Sequence, residues 1–135
     1  MRNIAIVPVK KISERVESKN FRDFYNGKSL FELLLEKLLD SKSFDDIYVS
    51  SNSKNLKKNL EKQGIKFIFR PDEFCNNDVS WSDVIAHVIE NLPESDDTNI
   101  AWCHTTSPTF NRYEEALKKY ISQKKQCLND GLIAV

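Results

Sequence analysis

The segment from Lys10 to Lys28 gathers Lys10, Lys11, Arg15, Lys19, Arg22 and Lys28 against Glu14, Glu17 and Asp23, a local excess of three positive charges in a chain of zero formal net charge. Ser13 and Asn20 add neutral donors to it. Cations interspersed with short polar side chains are the chemistry that grips phosphate, because ammonium and guanidinium groups neutralise its charge while hydroxyl and amide groups orient its oxygens. A solvated lysine-rich loop has the same composition, so the position of the segment in the fold must decide between the two. His104 is a second candidate: it ends an apolar run, ahead of Thr105-Thr106-Ser107-Pro108, where a ligand contact and a structural role are both open. His87, between Ala86 and Val88 in an amphipathic stretch, reads as a packing residue.

Other chemistries lack their residues. There is no GxGxxG, no GxxxxGK[ST] and no GxSxG, which removes the dinucleotide fingerprint, the P-loop and the nucleophile elbow. Neither histidine has sequence-local metal-ligand or triad company. Cys75, Cys103 and Cys127 are an odd number and widely spaced, so neither a disulfide set nor a zinc knuckle is expected, and all three read as reduced structural thiols.

The elements that must carry these residues alternate. Ile4-Ala5-Ile6-Val7 suits a strand buried on both faces of a parallel sheet. Asn26-Gly27 marks a turn, and Ser29 with Glu32 forms a capping box ahead of Leu30, Leu33, Leu34, Leu38 and Leu39, in a helix ending near Ser41. A second strand follows at Ile47–Val49. Ser53 then caps a basic helix with Leu56 and Leu60, stopped by Gly64, and Lys66–Phe69 is a third strand. Beyond Arg70-Pro71 and a polar stretch, Val84, Ile85, Val88, Ile89 and Leu92 share a helix face. Asn99–Cys103 is a fourth strand. Asn111 and Glu114 open a helix with Ala116, Leu117, Tyr120 and Ile121 inward, and Leu132–Val135 reads as a fifth strand. The pattern predicts a three-layer α/β fold with a mostly parallel sheet, one domain over residues 1–135, which places the basic segment at the ligand-binding edge beyond the first strand.

Composition agrees with a globular domain. At 135 residues, 40% hydrophobic and 30% charged, the chain is long enough for a self-sufficient core. Zero net charge gives no global footprint for nucleic acid or an anionic membrane, and no apolar stretch approaches the length of a membrane span. The N-terminus, MRNIAIVPVKK, lacks the charge-first order of a signal peptide, so a cytoplasmic location is expected.

In this order, VPVKKISERVESKN, NGKSL opening a helix, DIYVSSNS, RPDEFCNNDVS, DVIAHVI and HTTSP resemble the cytidylyltransferases that make CMP-activated acidic sugars. These are the CMP-sialic acid synthetases (acylneuraminate cytidylyltransferases) and their relatives that activate KDO. The resemblance runs from Asn3 to Val135 and implies a Rossmann-like nucleotidyltransferase fold, C-terminally truncated here because the family continues further. The implied reaction is attack by the anomeric hydroxyl of an acidic sugar on the α-phosphate of CTP, with release of pyrophosphate and with magnesium assisting.

The family's residues carry over by position. Lys10 stands where the family usually has an arginine, Ser13 and Lys19 match a phosphate-binding serine and lysine, and Asn20 matches an asparagine beside the nucleotide. Lys10 and Lys19 are thereby the implied catalytic cations. Arg70 falls at a nucleotide-binding arginine, while Asp78 and Ser80 lie in the segment that closes over the cytidine. On the sugar side, His104 replaces a glutamine, and Thr106 and Ser107 match. Lys11, Ile12, Glu14 and Glu17 occupy a region that is commonly glycine-rich in the family. Asp130 fits an aspartate before the last strand, and the metal ligands stay unassigned. The family's usual homodimer is also implied. Two other readings remain at this point: a non-catalytic nucleotide-binding or protein-interaction module, and a transferase using UTP or another base.

Overall fold

The computed structural model describes residues 2–10, 23–25, 27–75, 78–94, 97–105 and 112–125. Strand β1 (Asn3–Pro8) is the centre of the fold, because its apolar residues point alternately to two different cores. Ala5 and Val7 enter one core, whereas Ile4 and Ile6 enter the other. A short antiparallel hairpin, β2 (Asp23–Tyr25) with β3 (Lys28–Ser29), precedes helix α1 (Leu30–Ser41). Strand β4 (Asp46–Ser51), helix α2 (Lys57–Lys62), strand β5 (Lys66–Phe69), helix α3 (Trp81–Glu90), strand β6 (Asn99–Trp102) and helix α4 (Tyr113–Lys125) follow. The four long strands are all parallel, in the order β5-β4-β1-β6, with Ile6 level with Tyr48 on one side and Trp102 on the other. Helices α1, α2 and α4 cover the face of Ala5, Val7, Ile47 and Val49, and α3 covers the face of Ile4, Ile6, Tyr48 and Ile68. This is the expected three-layer α/β arrangement with a parallel sheet.

Local sequence accounts for the boundaries. Ser29 Oγ accepts a hydrogen bond from the Glu32 backbone N–H at 3.2 Å and donates to its carboxylate at 3.3 Å, so Ser29 caps the helix as expected, with the Glu32 side chain on the Ser29 hydroxyl rather than on its backbone N–H. Gly64 stops α2 with φ of 77°, a conformation that costs glycine little. Gly27 does the same in the hairpin turn at φ 72°.

Four expectations need correction. The hairpin of β2 and β3 adds antiparallel structure that hydrophobic periodicity does not signal in such short strands. Ser53 makes no side-chain cap; a 3₁₀ turn over Lys54–Leu56 leads into α2 instead. Helix α1 buries Phe31, Leu34, Leu35 and Leu38, a face rotated from the expected one that leaves Leu39 outside. In α3 only Val84 and Val88 are buried; Ile85 and Ile89 are exposed because the helix meets the sheet along a single narrow stripe. Asn111, Asp130 and the expected strand at Leu132–Val135 lie outside the described residues.

A charged clasp fixes the amino-terminal edge of the sheet. Arg2, just before β1, pairs with Asp46 at the start of β4 and with Glu94 ahead of β6, donating to Glu94 at 2.9 and 3.0 Å. Lys66 at the start of β5 bonds Asp46 at 3.1 Å, and the Tyr48 hydroxyl donates to Glu94 at 3.0 Å. The Arg2 hydrogen bonds hold the Glu94 carboxyl below its usual value. Partial burial pushes Asp46 up, but the Lys66 and Arg2 bonds together draw it below the usual range. A carboxylate whose folded value is depressed contributes stability above its unfolded value, and that contribution disappears as pH falls through the folded value. Glu94→Gln should therefore melt below wild type at pH 7, with the two melting curves converging as pH falls below the carboxylate range. Curves that stay parallel under acid titration would exclude this role for the clasp.

Candidate nucleotide site at the carboxyl edge

The opposite edge of the sheet collects the chemistry. Lys10 follows β1, Asn52 follows β4, Arg70 follows β5, and Cys103 and His104 follow β6, so all four parallel strands deliver side chains to one end. Strand order reverses at β1, with β4 and β5 on one side and β6 on the other, and such a switch point is where open α/β sheets bind ligands.

Arg70 is the best-defined member. Its backbone N–H bonds the Ser51 carbonyl at 2.9 Å, which fixes the residue where β5 leaves β4. The side chain then turns inward and is only 3% exposed. One guanidinium nitrogen, Nη2, donates to the Val9 carbonyl at 3.2 Å, and Nε donates to Cys75 Sγ at 3.2 Å. Both acceptors are neutral, and no carboxylate among the described residues pairs with this guanidinium. A permanently charged group held away from water without a counter-charge is costly, so the arrangement suits an acceptor brought by a ligand.

A turn holds Cys75 in place. Pro71 leads into a 3₁₀ turn over Asp72–Phe74, whose Asp72 carbonyl accepts from the Cys75 N–H at 2.9 Å. The Asn52 amide reaches across from the end of β4 and donates to Asp72 at 2.9 Å. Phe74 packs on the His87 ring with centroids 4.5 Å apart, consistent with the packing role expected for His87.

Beyond the turn, Asp78 is exposed and Ser80 is the N-cap of α3, its Oγ accepting from the Asp83 N–H at 3.2 Å. Ser80 thus has a structural duty that the sequence reading did not assign, while its hydroxyl proton keeps a direction of its own. Trp81 opens α3 and stands edge-on to Trp102 at 6.1 Å and to His104 at 5.3 Å, which brings the start of α3 beside the end of β6. Lys10, Arg70, Asp78, Ser80 and His104 therefore all sit on the carboxyl side of the sheet. Ser13, Lys19, Asn20, Thr106 and Ser107 lie outside the described residues.

Two further properties limit the chemistry. Burial pushes the Cys103 thiol up to about 12, which makes it a poor nucleophile, and Cys75 and Cys103 are both buried and unbridged. Among the described residues no three histidine, cysteine or carboxylate side chains converge on a point that could hold a metal ion. No helix among them is long and apolar enough to cross a membrane. Sequence reasoning missed Cys75 and Trp81, because a lone thiol and a lone tryptophan carry no spacing signal until the fold sets them beside Arg70 and His104.

Comparison with known proteins gives the family and the fold. A cytidylyltransferase family model matches residues 4–130. A pseudaminic acid cytidylyltransferase of Campylobacter jejuni is 29% identical over 95% of this chain and 57% of its own length. An N-acylneuraminate cytidylyltransferase of Escherichia coli is 28% identical over 93% of this chain and 30% of its own. Among solved structures, a CMP:2-keto-3-deoxy-manno-octonic acid synthetase complexed with CTP superposes with a TM-score of 0.70 at 16% identity, over 92% of this chain and 49% of that one, a likeness of fold. The chain spans a little over half the length of the Campylobacter relative, and it belongs to the cytidylyltransferase family.

Proposed function

We propose that this chain carries the nucleotide-binding part of a CMP-sugar cytidylyltransferase that acts on an acidic sugar of the sialic, pseudaminic or KDO kind. The observation that carries the reading is Arg70, a buried cation at the ligand-binding edge whose only described side-chain partners are a thiol and a carbonyl. Membership of the cytidylyltransferase family supports CTP as the nucleotide.

In the reaction, the anomeric hydroxyl oxygen forms a bond to the α-phosphorus of CTP and loses its proton. The bond from that phosphorus to the bridging oxygen breaks, and pyrophosphate leaves. Negative charge grows on the departing group, so pre-placed cations give the largest acceleration. Lys10 and Lys19 serve that role, with Ser13 and Asn20 orienting the nucleotide. Arg70, Asp78 and Ser80 hold it from the β5–α3 side. His104, Thr106 and Ser107 are assigned to binding the sugar.

Magnesium, bound with the triphosphate, would supply further charge neutralisation there. The cytoplasm is the compartment that supplies CTP, and a homodimer is the assembly suggested by the family.

A second reading, a protein-interaction module, draws on a different observation: Trp81, Ile85 and Ile89 form an exposed apolar stripe along α3, and Ile100 is exposed on β6, the outermost of the described strands on that side. Calorimetric titration with CTP and then UTP, in magnesium, separates the readings. Selective heat with CTP is expected. Absence of heat with either nucleotide would leave the apolar stripe as the better guide to function.

A further inference from the structure

A guanidinium that must offer its charge to a ligand needs a partner that fixes its direction without consuming that charge. Carboxylates do the first and fail the second, because a bidentate pair neutralises the arginine. The partner of Arg70 is Cys75: Nε donates to Sγ at 3.2 Å, and the thiol lies 3.7 Å from the Arg70 carbonyl, so side chain and backbone of one residue close on the same sulfur. The contact is buried on both sides. It is fixed by the Asp72–Phe74 turn, through the Cys75 N–H bond to Asp72 and the Asn52 amide on the Asp72 carboxylate. Nη2, the far end of the fork, is directed to Val9, next to Lys10. The sulfur at Nε and the Val9 carbonyl at Nη2 together fix the rotation of the guanidinium plane, and of the two only the sulfur belongs to a side chain that can be changed.

We infer that Cys75 is a positioning residue for nucleotide binding, a neutral anchor that orients the Arg70 guanidinium while leaving its positive charge for the ligand. The inference rests on the nucleotide reading of the site.

Calorimetric titration of CTP into wild type and three variants tests it, with a thermal melt of each. Cys75→Ser keeps a neutral acceptor of similar size and should bind CTP within about twofold of wild type. Cys75→Ala removes the anchor and should weaken binding about tenfold, the low end for a hydrogen bond to a charged group. Cys75→Asp places an anion against Arg70 and should weaken binding by about a hundredfold, with a melting temperature equal to or above that of Cys75→Ala. A purely structural cysteine would lower the melting temperature of Cys75→Ala with CTP affinity unchanged, and that result overturns the inference. So does a Cys75→Asp variant that binds CTP as wild type does. Failure of wild type to bind CTP overturns the nucleotide reading itself, and the positioning role with it.

Discussion

Replacing Arg70 by methionine is expected to weaken CTP binding by about a hundredfold or more while the melting temperature changes by no more than a few degrees. Loss of binding follows from removing one partner of a desolvated charge contact, which costs about 2–5 kcal/mol, and a hundredfold is about 2.7 kcal/mol. Stability behaves differently, because two terms oppose each other. Methionine forfeits the bonds to Val9 and Cys75, each worth about 1.5 kcal/mol net at the low end for a charged donor. It also removes a cation that is 3% exposed and pairs with no carboxylate among the described residues, and the effective burial cost of such an ion is several kcal/mol. The thioether fills much of the volume left by the arginine stem. Binding sites commonly hold strain of this sort, which the ligand relieves. A large fall in melting temperature with CTP affinity intact would identify Arg70 as a structural cation and remove the main support for the proposed function.

What could be read from the sequence, and what could not, follows from the range over which each signal acts. The four parallel strands and their helices were legible because β1, β4, β5 and β6 are short apolar runs bounded by polar residues, and the helix cap at Ser29 and the glycine at Gly64 are local devices. The edge on which the site lies was legible too, since parallel strands alternating with helices put every β–α loop at one end. The exact buried face of a helix was not. In α1 leucines stand at 30, 33, 34, 35, 38 and 39, so an apolar arc wider than the contact leaves several rotations open, and packing against β1 and β4 selects one. In α3 the surplus runs the other way: Trp81, Ile85 and Ile89 form a second apolar stripe that the described residues leave uncovered. Within the candidate site, Lys10, Arg70 and His104 were reached through their places just past strand ends and through the order of the short motifs that carry the resemblance. Cys75 and Asn52 act across a turn and across two strands, and nothing in their sequence spacing signals that they orient Arg70 and the turn beneath it.

The rotation of α1 carries the second large effect, in stability rather than binding. Leu38 is 1% exposed and packs in the core with Ala5, Val7 and Ile47, while Leu39, its neighbour in sequence, is 39% exposed. Successive residues on a helix are separated by about 100°, so one points to the sheet and the other past it. Leu38→Ala should destabilise the chain by about 3 kcal/mol, from lost burial plus the cavity left behind, and lower the melting temperature by about 10 °C. Leu39→Ala should cost less than about 1 kcal/mol, since Leu39 already stands 39% exposed at the margin of the core and alanine is the better helix former. Urea denaturation of both variants measures the contrast directly. Equal losses would mean that α1 buries the wider face its leucines allow, and a larger loss at Leu39 would mean that the helix is turned by one residue. Either result would also move Lys28 and Glu36, whose ion pair ties β3 to α1. Because the β2–β3 hairpin follows that basic segment in the chain, such a rotation would move the point at which the segment with Ser13, Lys19 and Asn20 rejoins the described fold. The orientation of α1 is thus a condition on the nucleotide site as well as on the core.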